Sequence, residues 1–294
     1  MSDRPATAPA KARRRRRAFG QTSTGEKVWR YALLMLMLLV VLGPFLWQLS
    51  TSLKGLGEDI YTRDPQFLPK EPTLENYVNV MRAIPVLGYI LNSLVVAVLT
   101  VSGNVIFSTF AGFALARLRW KARRWVLGVL LATLILPGEA TIIAQLVTVR
   151  SLGLADTLLG VALPGMIATL NVLLMFNAFR QLPEEIDQAA IIDGATSWQR
   201  LWLISLPAVR GTIAVVAIFS FIGAWDDFLW PLIALTTPDR FTLTVGLQYL
   251  AGTFSNDPRM VAAGVMIAFV PIAVLFAALQ RHFFKGVEEG GVKG

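Results

Sequence analysis

Between Arg180 and Gly211 the chain reads RQLPEEIDQAAIIDGATSWQRLWLISLPAVRG, a hydrophilic interruption between two long apolar segments. Its spacing predicts two short helices joined at a glycine. Pro183 suits the first turn of a helix, where a missing N–H costs nothing. Glu184, Glu185 and Asp187 follow it, and negative charge there complements the positive end of the helix dipole. Ile186, Ala189 and Ala190 recur at i, i+3 and i+4 and predict one narrow, smooth apolar face. Asp193 and Gly194 end the helix, with Gly194 free to adopt a left-handed cap. Thr196 and Gln199 have the spacing of a capping box for a second helix. That helix is expected to carry Trp198, Leu201 and Trp202 on one side and to stop at Pro207. Such a helix–glycine–helix unit has the form of a docking knob. It contains no base–nucleophile pair and is not a catalytic site.

These residues resemble the cytoplasmic coupling loop of ATP-binding cassette (ABC) importer permeases. The pattern there is Glu-Ala-Ala, three residues, Gly, nine residues, Ile, one residue and Leu-Pro. Here Gln188-Ala189-Ala190, Gly194, Ile204 and Leu206-Pro207 stand at that spacing. The departure is Gln188 in place of glutamate, which leaves open any ion pair made through that position.

Composition sets the class independently. Of the 294 residues 55% are hydrophobic and 16% charged, and the mean hydropathy is +0.59. Soluble domains carry about 25% charged residues, so the solvent of this chain is mostly lipid. Apolar runs of roughly 20 residues are the length of a bilayer-spanning helix. The chain has no cysteine and a single histidine, His282. Disulfides, thiolate nucleophiles, Cys-ligated zinc, iron–sulfur centres and multi-histidine metal sites are therefore excluded, and no metal site is expected.

Residues 1–28 form a polar arm with Lys11 and the run Arg13–Arg17. Its composition predicts disorder. Nucleic acid or anionic lipid would suit such a run, but the apolar segment after it favours a cytoplasmic anchor that fixes topology, with no nucleic-acid partner. The apolar stretch from Val28 to Leu49 is too long for a signal peptide core, and no small-residue cleavage site follows it. The first span is placed at 29–53, with a kink expected at Gly43-Pro44. An extracytoplasmic loop covers 54–86, with Thr73 expected to cap a short helix. Further spans are expected at about 89–114, 125–147, 157–179, 212–235 and 261–279. The third is interrupted by Pro137-Gly138, the fourth contains Pro164-Gly165 and the sixth Pro271. Residues 281–294 are read as a cytoplasmic tail.

Lysine and arginine orient these spans. With the N-terminus inside, the cytoplasmic segments hold 9 between Met1 and Arg30, 5 between Arg117 and Arg124, 3 in the coupling loop and 3 in the tail, against 7 outside. The asymmetry places both termini in the cytoplasm.

Six spans, with that loop between the fourth and fifth, fit the permease resemblance over residues 87–280. Two further stretches narrow it. Ser220 to Leu229, SFIGAWDDFL, resembles the Ser-Phe-Ile, Ala-Trp-Asn-Glu-Phe-Leu run of carbohydrate importer permeases. The tail from Gln280-Arg281 to Val292-Lys293-Gly294 is similar to their ending, apart from Glu288 and Glu289 where small residues are usual. The resemblance is to the second, six-span permease subunit of the maltose type. It implies an all-α type I ABC importer transmembrane domain in a bacterial or archaeal plasma membrane. It also implies a partner permease, two ATPase subunits that bind ATP and Mg, an extracytoplasmic solute-binding protein and a sugar substrate. The chain itself is expected to bind no cofactor, since it has no Gly-x-x-x-x-Gly-Lys-Ser/Thr phosphate loop. ATPase coupling would fall to Glu184, Glu185, Asp187, Gln188, Ala189, Ala190, Asp193, Gly194, Ile204, Leu206 and Pro207.

Polar residues inside spans are functional candidates. Here they are Asn92, Asn104, Glu139, Gln145, Asn171 and Asn177, joined by Trp225, Asp226 and Asp227 of the span-five run. Asparagines backed by aromatic rings suit sugar hydroxyls, and helix–helix hydrogen bonding is an equal alternative. Glu139 reads as a gate or a helix contact. Asp226 and Asp227 would line the path or meet a partner subunit. A permease for another solute, such as a glycerophosphodiester, shares nearly all these features. A secondary transporter would need intramembrane charge relays and internal repeats. A membrane enzyme would need clustered acidic, His or Cys residues.

Overall fold

The computed structural model describes residues 24–58, 60, 66–254 and 257–291, with the backbone alone at 24, 253, 254 and 279–291. The basic run Arg13–Arg17, Arg63 and the final Val292-Lys293-Gly294 lie outside the described residues, as do the side chains of His282, Glu288 and Glu289. The chain divides into two units at Gln48, each described by itself.

Helix α1 (Thr24–Ser52) runs through Pro44 as one element, so the kink expected at Gly43-Pro44 does not break it. Its leucines, methionines and valines are exposed all round, as lipid contact requires and water would not allow. In the second unit, α2 (Glu75–Ala83) belongs to the first loop. Leu74 holds its cap position, while the Thr73 hydroxyl one residue back accepts the Glu75 N–H at 3.1 Å. Asn76 ties this helix to the last residue of α1 and the turn after it by donating to the Ser52 and Lys54 carbonyls, at 2.9 and 2.8 Å.

The central element is α3 (Val86–Arg117). The third expected span is α4 (Arg123–Thr133) followed by a 3-10 turn and α5 (Ile142–Ser151), bent by 104° at Pro137. The fourth is α6 (Leu158–Gly165) and α7 (Thr169–Gln181), bent by 47° just after Pro164-Gly165. Among the described residues three helices are long and apolar enough to cross a membrane, or up to six if each bent pair is one span. Pro137 explains the first break, because it removes a backbone donor and crowds the carbonyl four residues back, at the end of α4.

Helix α7 lies close along α3. A Cβ on Gly112 would sit 2.6 Å from that of Met175 and 2.8 Å from the Phe176 nitrogen, so only glycine permits this approach. Below the seam Phe113 meets Phe179 edge to face at 5.6 Å, and Leu201, Val209 and Val216 complete a buried cluster. A larger cluster about Val96, Val161, Trp225, Trp230, Leu243 and Ala263 holds the other end.

The chain after α7 comprises α8 (Glu184–Ile192), α9 (Ser197–Gln199), a π turn at Arg200–Ser205 and α10 (Leu206–Ala208), and then turns by 80° into α11 (Arg210–Asp226). The expected fifth span, 212–235, is not one helix. It stops at Asp226, where the Asp227 carboxylate accepts the Trp230 N–H at 3.4 Å and the Asp227 carbonyl accepts the Thr244 hydroxyl at 2.8 Å. Aspartate competes with helical bonding in this way. The short α12 (Leu229–Ala234) follows, then α13 (Leu243–Tyr249) and the long α14 (Pro258–Gly291), continuous through Pro271.

At the same end as α2, Asp156 adopts φ 55° between α5 and α6. Its carboxylate accepts the Thr237 hydroxyl at 2.6 Å, the N–H groups of Thr236 and Thr237, and Arg240. The Thr237 hydroxyl, followed by those two N–H groups, holds this carboxyl far below the usual carboxylate range.

Candidate functional site: a locked elbow and a central amide cavity

The elbow forms largely from its local sequence. Pro183 occupies the cap position of α8 rather than its first turn. Gly194 takes φ +79°, its N–H donates to the Ile191 carbonyl, and the Ala195 N–H reaches back to Ala190. That pair of bonds is a complete Schellman motif. The expected capping box is present: the Gln199 N–H donates to the Thr196 hydroxyl at 3.3 Å and the Thr196 N–H to Gln199 Oε1 at 2.8 Å.

Three expectations are corrected. Ala190 does not share an apolar face with Ile186 and Ala189: it is buried against the body, while the other two are exposed. The second helix does not carry Trp198, Leu201 and Trp202 on one side. Leu201 enters the core, whereas Trp198 lies exposed against Phe110 at 5.8 Å and Trp202 at 5.5 Å. Nor does the helix stop at Pro207. It widens into the π turn just before that residue and ends at Val209, because a widened turn accommodates a residue that has no N–H.

The two arms are tied together. Arg200, 6% exposed, approaches Asp187 Oδ1 at 3.5 Å across the glycine turn. The entry is pinned by Arg117, whose Nη2 donates to the Phe179 and Leu182 carbonyls at 2.7 and 2.6 Å. Glu184, Glu185, Gln188, Ala189, Asp193 and Ile192 (85% exposed) form the free surface. Leu206 and Ile204 are half-buried, and Leu206 packs on the Phe113–Phe179 cluster. Pro207 is exposed.

A cavity of about 320 Å³ opens between α3, α6, α7 and α11. Asn104 donates to the Gly165 carbonyl at 2.8 Å, a group orphaned where α6 ends. Its Oδ1 accepts from Ser108 and from Asn171, both at 3.0 Å. Asn171 also donates to the Ser220 hydroxyl at 3.1 Å, which donates in turn to the Val216 carbonyl. Asn171 Oδ1 is buried and has no hydrogen-bond partner among the described residues. Gln145, Asp227 and Trp230 line the same space, and Asp227 is the one charged side chain in that lining.

The other sequence candidates lie elsewhere. Asn92 donates to the Asp239 and Phe241 carbonyls at 2.8 and 3.0 Å, tying α3 to the chain before α13. Asn177, Asp226 and Glu139 are exposed outside the cavity. Trp225 is buried, stacked on Phe221 at 5.5 Å with its Nε1 donating to Ala268 of α14 at 3.2 Å. Sequence reasoning missed Trp230 and the pairing role of Arg200. The one clue to Arg200 was its isolation as a cation inside the second arm.

Known proteins share this architecture. A crystal structure of a bacterial ABC transporter involved in the import of the acidic polysaccharide alginate matches with TM-score 0.77 at 22% identity, over 90% of this chain and 99% of that one. Diacetylchitobiose uptake system permease protein NgcG of Streptomyces coelicolor is 31% identical over 264 residues, 88% of this chain and 87% of its own length. Sulfoquinovosyl glycerol transport system permease protein SmoH of Agrobacterium fabrum is 30% identical over 270 residues, 91% and 94% of the two chains. The fold is that of a type I ABC permease, a multi-pass transport component of the inner membrane and not an enzyme, working with ATPase and solute-binding components. From residue 71 to 289 the chain matches the binding-protein-dependent transport system inner membrane component, and it belongs to that family.

Proposed function

We propose that this chain is the permease subunit of an importer for neutral sugars or oligosaccharides, contributing half of the translocation path beside a second permease. Both termini and the elbow face the cytoplasm. The transporter carries two ATPase subunits, which bind and hydrolyse ATP with Mg, and the cleft of one seats on the exposed arm from Glu184 to Gly194. An extracytoplasmic binding protein delivers the solute from the other side.

The observation that carries the solute class is Asn171 Oδ1, a buried acceptor without a partner among the described residues, beside a cavity lined by amides, two hydroxyls, one carboxylate and one indole. A sugar hydroxyl supplies the missing donor, and the Trp230 ring suits an apolar sugar face. Asp227, with no cation beside it among the described lining residues, disfavours an acidic solute, including an alginate-like polymer or a glycerophosphodiester. The relatives that carry sugars of both kinds support the broader class and leave this narrower choice to experiment.

The test is uptake by the complete transporter reconstituted in proteoliposomes, with a neutral and an acidic oligosaccharide of equal length. Neutral uptake should dominate and should fall at least about tenfold in Asn171→Leu, the worth of one buried polar contact. Preference for the acidic chain, or undiminished uptake by the variant, would remove the proposal.

A further inference from the structure

We infer that a second, polar cavity behind the elbow is a binding site for a phosphate-bearing anion. This cavity of about 610 Å³ lies between the end of α3 and the elbow arms, within the size range of small-molecule sites (roughly 300–1,000 Å³). Arg117, Arg119, Arg123 and Arg200 line it against the carboxylates of Glu184 and Asp187. Guanidinium groups therefore outnumber carboxylates by two.

Two of these guanidinium groups are buried at Nε. Arg200 Nε has no hydrogen-bond partner among the described residues, and its 3.5 Å approach to Asp187 is an ion pair without a hydrogen bond. Arg117 Nε is likewise buried and without a partner, although its Nη2 is held by two carbonyls. Both Nε atoms sit beneath the cavity wall, so it is the excess of guanidinium over carboxylate along the lining that asks for an oxyanion. Phosphate matches the planar guanidinium fork and offers enough oxygens to serve several arginines at once. Gln188 adds a neutral donor to the lining where a glutamate would add a third negative charge.

The source is either a free phosphate or a lipid headgroup. Exposed Trp198 and Trp202 on the neighbouring arm, and Trp120 and Trp125 after α3, are the side chains that settle at headgroup level. In either case the anion competes with Asp187 for Arg200. Occupancy would loosen the tie between the elbow arms, which makes the site a regulator of elbow stiffness. The inference rests on the cavity and not on the solute carried, so its failure would leave the transport reading intact.

The experiment is thermal unfolding of the full chain in an uncharged, phosphate-free detergent. Inorganic phosphate is titrated against chloride at constant ionic strength, and phosphatidylglycerol is titrated against phosphatidylcholine in parallel. A saturable rise in unfolding temperature with phosphate, weakened about tenfold in apparent affinity by Arg119→Gln, establishes a free-anion site. A rise with phosphatidylglycerol alone, weakened by the same variant, assigns the site to a lipid headgroup. Gln188→Glu should weaken either response several-fold. Arg200→Gln should abolish it, and if that variant does not fold, the exposed Arg119 carries the test. No rise with either ligand, or a rise equal in wild type and Arg119→Gln, overturns the proposal. So does loss of ATPase association in Arg119→Gln without any anion response, which would give the cavity to a partner's carboxylates.

Discussion

The elbow and the central cavity both depend on polar side chains, yet they are held in opposite ways. In the elbow the bonds that shape the turn are local: the Schellman motif spans Ala190 to Ala195 and the capping box Thr196 to Gln199, while Arg117 reaches in from α3 only at the entry. In the cavity the bonds join distant parts of the chain, from Asn104 to Gly165 and Asn171, and from Asn171 to Ser220. A locally closed unit keeps its shape while its outer face stays free for another surface. A network closed over long range exists only once the helices have assembled, and here it leaves Asn171 Oδ1 buried without a partner among the described residues. On the proposed function, the difference would separate a rigid lever from a selective lining.

The contrast can be broken most severely at Asn104. Asn104→Leu takes the donor from the Gly165 carbonyl and the acceptor from the Ser108 hydroxyl, leaves the Asn171 amide only Ser220, and should cost about 3 kcal/mol, at roughly 1–3 kcal/mol for each buried orphan. Thermal unfolding of the purified chain measures it. A loss comparable to that of an exposed substitution would show that the network is not a stability element.

Gly194→Val comes next. Open space surrounds that position, so the penalty is the left-handed backbone alone, about 1–2 kcal/mol. The variant should fold, while ATP hydrolysis continues and uptake falls at least about tenfold. Uptake at wild-type level would count against the lever.

Asp187→Asn leaves Arg200 without its counter-charge. The pair is partly buried, so the expected loss is about 2 kcal/mol, between that of an exposed pair and that of a fully buried one. A double-mutant cycle with Arg200→Gln isolates the coupling. Additive losses would mean that the elbow arms are not tied through this pair.

The smallest effect belongs to Asp156, and it depends on pH. Because its carboxyl titrates lower in the folded state than in the unfolded chain, it contributes stability above the unfolded value of about 4 and loses it as pH falls towards the folded value. Asp156→Asn should flatten the fall in unfolding temperature below about pH 4. An unchanged acid limb would place the acid sensitivity elsewhere.

The fold class was legible because lipid imposes a uniform demand: long apolar helices whose ends are marked by charge. The elbow was legible because caps and glycine turns are short-range devices, so Thr196, Gln199 and Gly194 declare themselves in order along the chain. The cavity was legible only in part. Asn104 and Asn171 line it, but Asn92, equally polar and equally placed inside a span, serves a helix-to-loop tie. Trp225 carries the motif signal, whereas Trp230 five residues later reaches the cavity. Periodicity records which residues share a helix face but not what that face meets.

The sequence by itself determined that this is a membrane-spanning helical chain with a glycine-jointed loop between apolar segments, since both properties follow from composition and local bonding. Only the tertiary structure decided which amides converge, that Arg200 reaches Asp187, and that two arginine Nε groups are buried around one basic cavity. Those outcomes depend on helix bends at Pro137 and Pro164 and on the close approach of α3 and α7 at Gly112. Angles and distances between helices far apart in the chain are set by packing, and no local pattern encodes them.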